Sequence, residues 1–235
     1  MRTLTVTGAK GGTAKTTTAI TLAAELAALG YRVMLRDLDP QASATLALGV
    51  EPSADPWQGE PVALPLGVLP GAVWLYPGGR AITSGAERDA REWLRMADFA
   101  ADFQVVDCPP SLDALTLAAL EAATVALVPL RPSPLDLPAF RDVAALVEGL
   151  ENPPQLRAVL TQVHTRRLLT RDVAEYLNEN APGSLYAAQI PEDVKAAEAP
   201  GYATPVTLYA PSSRAAEAYR ELAREVAADL NGGRA

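Results

Sequence analysis

The stretch from Leu4 to Gly30 leaves this chain few folds to choose from. Leu4-Thr5-Val6-Thr7 alternates apolar and polar residues, the period of a strand. A glycine-bearing loop follows, Lys10-Gly11-Gly12-Thr13-Ala14-Lys15-Thr16-Thr17, and Thr16 to Leu29 carries helical periodicity that ends at Gly30. In a strand, glycine loop, Lys-Thr and helix of this kind, backbone N–H groups and a helix N-terminus face phosphate oxygens. The chain has only three lysines against seventeen arginines, and two of the three lie in this loop. A compact ammonium and a planar guanidinium are not interchangeable, so Lys10 and Lys15 are both expected to act as point charges. Lys15 is placed to reach the β- and γ-oxygens of a nucleotide and the Thr16 hydroxyl to ligate Mg²⁺, with the backbone from Gly11 to Thr17 cradling the phosphates.

The rest of the chain agrees with one large α/β unit. At 235 residues, 49% hydrophobic and 20% charged, it has the composition of a soluble globular protein. Strand-like runs alternate with helical stretches: strands at 31–37, 73–76, 103–107, 124–130, 156–163 and 185–190, helices at 42–48, 85–102, 111–122, 139–149, 170–180 and 212–230. That alternation predicts a doubly wound, mostly parallel sheet flanked by helices, with residues 1–235 as a single domain. Residues 50–80 are rich in proline and glycine and read as an irregular surface excursion. No secretory signal or apolar run long enough to cross a membrane is read, which points to the cytoplasm. The single cysteine, Cys108, cannot make an intrachain disulfide or by itself supply a zinc or iron–sulfur site. A net charge of −8 argues against a generally basic nucleic-acid-binding surface, though not against a local patch.

Three carboxylates are candidates to complete the phosphate site. Phe103-Gln104-Val105-Val106-Asp107 is an apolar strand ending in an acid, and in parallel sheets ligands lie at the carboxyl ends of strands. Asp107 is therefore expected to reach magnesium, through a water. Asp37 and Asp39, two apart at the end of the second strand, share a face of an extended backbone and can both point toward the phosphates.

The loop is not the regular G-x-x-x-x-G-K-[ST] form, because Ala9 and Ala14 stand where its glycines would be. It fits a deviant form, K-G-G-x-x-K-[ST], and with Cys108-Pro109-Pro110-Ser111, Asp37-Leu38-Asp39-Pro40-Gln41, Leu160 to Arg166, Ile190-Pro191 and Tyr209 to Glu217 it resembles the ParA/MinD group of ATPases over nearly its whole length. The resemblance implies a phosphate-loop NTPase fold and ATP hydrolysis with Mg²⁺. Lys10 would cross a dimer interface to the partner's nucleotide, Asp39 would position the attacking water, and Asp37 would support Asp39 and the magnesium shell. Pro191 would lie on the adenine side. The family usually has glycine at the position of Ala14, and a methyl there costs energy if the backbone needs positive φ.

Within that group the chain is most similar to ParA partition ATPases, in a short form without an N-terminal helix-turn-helix. The resemblance then implies an ATP-bound homodimer that binds DNA nonspecifically on the nucleoid, through Lys195 and Arg214, with Arg166, Arg167 and Arg171 as further candidates. A ParB-like partner would stimulate hydrolysis and release the DNA. Glu192-Asp193 stands where the family often has arginine-asparagine, which lowers the affinity expected. Two alternatives stay open: a MinD-like positioning ATPase acting on a membrane or a protein assembly, and a poorly hydrolysing nucleotide switch. The final helix has an apolar stripe (Ala216, Tyr219, Leu222, Ala223, Val226, Leu230) but a balanced polar face, so it is expected to pack on the sheet rather than on a membrane.

Overall fold

A computed structural model describes residues 1–67, 69–83, 86–96, 101–164 and 168–232. Its strands are β1 (Arg2–Val6), β2 (Arg32–Asp37), β3 (Val62–Ala63), β4 (Ala72–Tyr76), β5 (Phe103–Asp107), β6 (Val125–Leu130), β7 (Gln155–Val163) and β8 (Leu185–Pro191). They form one sheet in the order β3-β4-β2-β5-β1-β6-β7-β8. Every pairing is parallel except β3 with β4. Its helices are α1 (Lys15–Ala28), α2 (Ser43–Ala47), α3 (Glu87–Arg95), α4 (Ala114–Glu121), α5 (Leu137–Glu148), α6 (Leu168–Asn180), α7 (Val194–Glu198), α8 (Val206–Tyr209) and α9 (Arg214–Leu230), with a 3₁₀ turn at Ala199–Tyr202.

Alternation along the strands explains why both faces are covered. Leu4, Val33, Leu35, Val105 and Leu127 pack on one side with Leu22 and Leu26 of α1 and Tyr219, Leu222 and Val226 of α9. Their neighbours Met34 and Val106 face the other side, toward Trp93 and Leu94 of α3 and Leu115 of α4. Val128 and Leu160 do the same toward Phe140 and Val143 of α5 and Leu177 of α6. Strands apolar on both faces need helices on both. The whole predicted stripe of α9 is buried, none of it more than 1% exposed, so the sheet side of the core accounts for it. Among the described residues no helix is long and apolar enough to cross a membrane.

Several elements depart from the sequence reading at their ends. The helix expected at 85–102 stops at Arg95: Met96 is already extended (ψ 113°) and 45% exposed. Its expected start at Gly85 and the apolar Phe99 lie outside the described residues. The Asp113 carboxylate accepts from Leu115 N and Thr116 N, so α4 begins after this cap rather than at Ser111. Helix α5 starts earlier than expected because Pro138 sits in its first turn, where a missing N–H costs nothing. The proline-rich excursion also hides β3, which pairs antiparallel along β4 and closes that edge of the sheet.

What matters for the site is the place of β1. It lies between β5 and β6, and the chain leaves it for β2 on one side while β6 lies on the other. The strand order reverses around it, which opens a crevice at the carboxyl ends of β1 and β5.

Candidate active site

The predicted loop sits at that crevice. Gly12 adopts φ +72°, and a Cβ there would meet nothing within 4 Å, so backbone conformation rather than crowding favours glycine. Ala14 has φ 66° and ψ 28° as the N-cap of α1. The methyl foreseen as a possible cost therefore does stand in the left-handed region, at about 1–2 kcal/mol for an L-residue. No side chain caps α1 and no acid lies in its first turn. Its first N–H groups and positive dipole end are thus left for an anion.

Strand β7 braces the loop from the opposite side. Thr161 Oγ1 donates to Thr13 O at 3.1 Å and Gln162 Nε2 donates to Gly12 O at 2.8 Å. Gln162 itself has φ 53°, where β7 and β8 slip register. No local pattern marks either brace, since Thr161 and Gln162 stand in a strand that also carries Gln155 and Arg157.

Gly11, Gly12, Ala14, Lys15, Thr16 and Thr17 line a cavity of about 280 Å³, closed by Asp39, Ser43 and Cys108. Thr13 is buried behind it, and Pro191 does not line it. Lys15 is 7% exposed and its Nζ donates to Lys10 O at 2.8 Å. Burial lowers its pKa, and the Asp107 charge is the largest influence opposing that.

The carboxylates divide the work. Asp107 is fully buried, stands in register with Asp37, and neither of its oxygens has a hydrogen-bond partner of normal geometry among the described residues. Burial first, then the Asp37 charge, pushes its carboxyl well above the usual range; the Thr16 hydroxyl pulls the other way. A buried carboxylate without donors is costly unless a cation completes it. With Thr16 beside it, this donor set fits the hard oxygen shell of Mg²⁺.

Asp37 differs from the magnesium-side role expected of it. Its Oδ2 accepts from Thr45 N at 2.8 Å and Thr45 Oγ1 at 2.7 Å, and its Oδ1 accepts from Asp39 N at 3.1 Å. Gly78 packs so closely that a Cβ there would lie 2.8 Å from the Asp37 carboxyl carbon. Both oxygens are thus used to hold the turn that carries Asp39. Burial is the main reason its pKa rises to about 6. Asp39 lines the cavity and accepts from Gln41 N at 2.9 Å and Ser43 Oγ at 2.7 Å.

Lys10 is held within its own chain. Its ammonium lies on Asp136 Oδ1 and 3.5 Å from Leu135 O. Arg131 donates to the same carboxylate, Nε to Oδ2 at 3.0 Å and Nη2 to Oδ1 at 3.3 Å. Burial opposes ionisation of Asp136, but the bonds from Arg131 and Lys10 hold its carboxyl below the usual range.

Two of the residues expected on DNA, Lys195 and Arg214, lie beyond the β8 edge of the sheet, amid acids. Lys195 Nζ meets Glu198 Oε2 at 2.7 Å. Arg214 Nη2 reaches Glu192 O at 3.4 Å, and Asp193 accepts from Lys195 N and Ala215 N, so Lys195 and Arg214 share one surface. Glu192 also pairs with His164, and Arg171 with Glu175. Arg166 and Arg167 lie outside the described residues.

Residues 4–206 match the CobQ/CobB/MinD/ParA nucleotide binding domain. The chromosome-partitioning ATPase Soj of Thermus thermophilus is 39% identical over 245 residues, covering 97% of this chain and 96% of its own. The chromosome partitioning protein ParA of Caulobacter vibrioides is 34% identical over 251 residues, covering 96% and 94%. In fold, the chain is similar to the septum site-determining protein MinD of Pyrococcus horikoshii complexed with Mg-ADP. That match has a TM-score of 0.82 at 23% identity and covers 100% of this chain and 98% of the other.

Proposed function

The chain belongs to the CobQ/CobB/MinD/ParA nucleotide-binding family, and on that premise we propose that it is a DNA-partition ATPase serving chromosome or plasmid segregation. The observation that carries the reading is Asp107, a fully buried carboxylate with no hydrogen bond of normal geometry among the described residues, close to the Thr16 hydroxyl and the Lys15 ammonium. Thr16 and Asp107 would hold a magnesium ion. Bound there, the ion would supply electrostatic stabilisation of the phosphate charge. Lys15 turns from Lys10 O toward the β- and γ-phosphate oxygens, and the N–H groups from Gly11 to Thr17 take the rest. Asp39 positions the attacking water, with Ser43 orienting its carboxylate and Asp37 and Thr45 fixing the turn beneath it. A lone carboxylate is a weak general base, so intrinsic turnover is slow.

In this reading ATP joins two copies, Lys10 crosses to the partner's nucleotide and Gly12 lets the backbones approach closely. The dimer binds DNA phosphates through Lys195 and Arg214, with Arg166 a further candidate, and a ParB-like partner triggers hydrolysis and release. The whole chain acts as one ATPase domain on the nucleoid, in the cytoplasm. One observation favours a second reading, a positioning ATPase working on a protein assembly: Lys195 is already paired with Glu198, and Arg214 donates to the backbone carbonyl of Glu192 with Asp193 beside it. Binding to nonspecific duplex DNA at moderate salt, compared between Mg-ATP and Mg-ADP, tests the choice. Salt-sensitive binding only with ATP supports partition. No binding in either state, with ATP-dependent dimers intact, rejects it for the second reading.

A further inference from the structure

We infer that Asp136 is a positioning residue that holds Lys10 within its own chain, and that dimer formation is a hand-over in which Arg131 keeps Asp136 paired when Lys10 leaves for the second copy. The inference rests on the ATP-bound dimer proposed above and names the contact that must break to form it.

Asp136 is 1% exposed, so its charge needs a partner at all times. It has two. Arg131 reaches both oxygens in a fork, from Nε at 3.0 Å and Nη2 at 3.3 Å, and Lys10 shares Oδ1. The carboxylate therefore holds one cation more than it requires. Aspartate at a helix N-cap ordinarily accepts from the first turn of its own helix. Asp136 is the N-cap of α5 yet makes no such bond, its carboxylate being turned to the two cations instead.

The surroundings separate a fixed partner from a movable one. Arg131 and Asp136 close a tight loop: Ser133 N donates to Arg131 O at 2.7 Å and Asp136 N to Ser133 O at 2.9 Å. Before nucleotide binds, the main chain of Lys10 is held as well, its carbonyl accepting from Lys15 Nζ at 2.8 Å and Thr13 Oγ1 at 3.4 Å, and of these only the Lys15 bond is given up to the phosphates. Only the Lys10 side chain has to swing, and it is already 35% exposed. Its departure leaves Asp136 on the Arg131 fork rather than as an unpaired buried charge. If Arg131 were missing, the same departure would strand that charge.

Opposite signs follow for two substitutions, read as the dimer dissociation constant by sedimentation equilibrium with Mg²⁺ and a non-hydrolysable ATP analogue. Asp136→Asn loosens the hold. Each copy must release one lysine, so an about fivefold hold per copy enters twice and the dimer tightens about 25-fold. Arg131→Gln makes Lys10 the sole cation on Asp136, and the dimer weakens by a comparable factor. A merely structural role would move both variants in the same direction. Arg131 is half-exposed, so its variant keeps the test open even if Asp136→Asn folds poorly. A wild-type dimer with Asp136→Asn weaker or unchanged, or with Arg131→Gln unchanged, overturns the hand-over alone. No wild-type dimer overturns the dimer reading and the hand-over with it.

Discussion

The phosphate-loop end and the β8–α9 edge of this sheet both gather charge, and they treat it in opposite ways. At the loop, Lys15 and Asp107 are buried, and Asp107 has no hydrogen bond of normal geometry among the described residues. At the edge, Lys195 is exposed and bonded to Glu198, while Arg214 rests on the backbone of Glu192. Charge taken out of water without a matching partner raises the energy of the fold and is retained where a ligand completes it. Charge left in water beside an opposite charge costs little and contributes little. Unfinished electrostatics, more than the number of basic side chains, separates the two regions.

Substitutions should break that contrast in order of how deep the charge lies. Lys15→Ala is expected to weaken Mg-ATP binding about a hundredfold or more, measured by calorimetry, because it strips the buried cation from the phosphates. Retained tight binding would remove the loop from its assigned role. Asp107→Asn should do two things at once: lower Mg-nucleotide affinity and raise thermal stability without ligand by about 1 kcal/mol. The pH dependence sharpens this. Asp37 titrates at about 6, against 3.8 for the ordinary group. The folded state thus binds more protons than the unfolded state between those values, and stability falls as pH rises through the window. Asp107 itself is held well above the ordinary value, chiefly by burial, so the gain from Asp107→Asn should vanish below about pH 4, where the unfolded carboxyl is protonated too, and grow as pH rises above it; a gain independent of pH in thermal melts would contradict it.

Ala14→Gly relieves the left-handed alanine but adds chain entropy to the unfolded state, for a net gain of about 0.5–1 kcal/mol in denaturant melts. A loss would mean that the loop does not need that conformation. The smallest effect belongs to the edge. Glu192→Gln with Asp193→Asn removes acids near exposed cations, so nonspecific DNA affinity should rise by a few-fold, about 1 kcal/mol or less, and steepen with falling salt. Asp193 also caps α7, so a melt beside the binding curve separates affinity from folding.

The parts of the site legible in the sequence are those specified by neighbours along the chain. Strand alternation located Asp107 and Asp37, and the Lys-Thr pair followed by helical period located Lys15 and Thr16. What could not be read is long-range. Asp136 reaches Lys10 across 126 positions, and Gln162 reaches Gly12 across 150. No local pattern marks either. Asp37 shows the same limit from the other side: its strand-end place was readable, but its engagement by Thr45 depends on how α2 folds back. Helix α7 and the turn after it are too short to build a period, and β3 has only two residues in a proline-rich stretch. Residues 165–167, with two of the arginines proposed for DNA, are outside the described structure.

The central place of β1 also sets a timetable. Thr3 N finds its acceptor on Thr124, 121 positions away, and Gln104 bonds Thr3 Oγ1 across 101. Contacts that distant form slowly, because loop closure precedes any reward from pairing. As the chain leaves a ribosome from its N-terminus, β1 waits for β5 to fill one edge and then for β6 to fill the other. The phosphate loop is thus among the first segments synthesised and among the last to take shape, and a bound nucleotide would report that the sheet around it is complete.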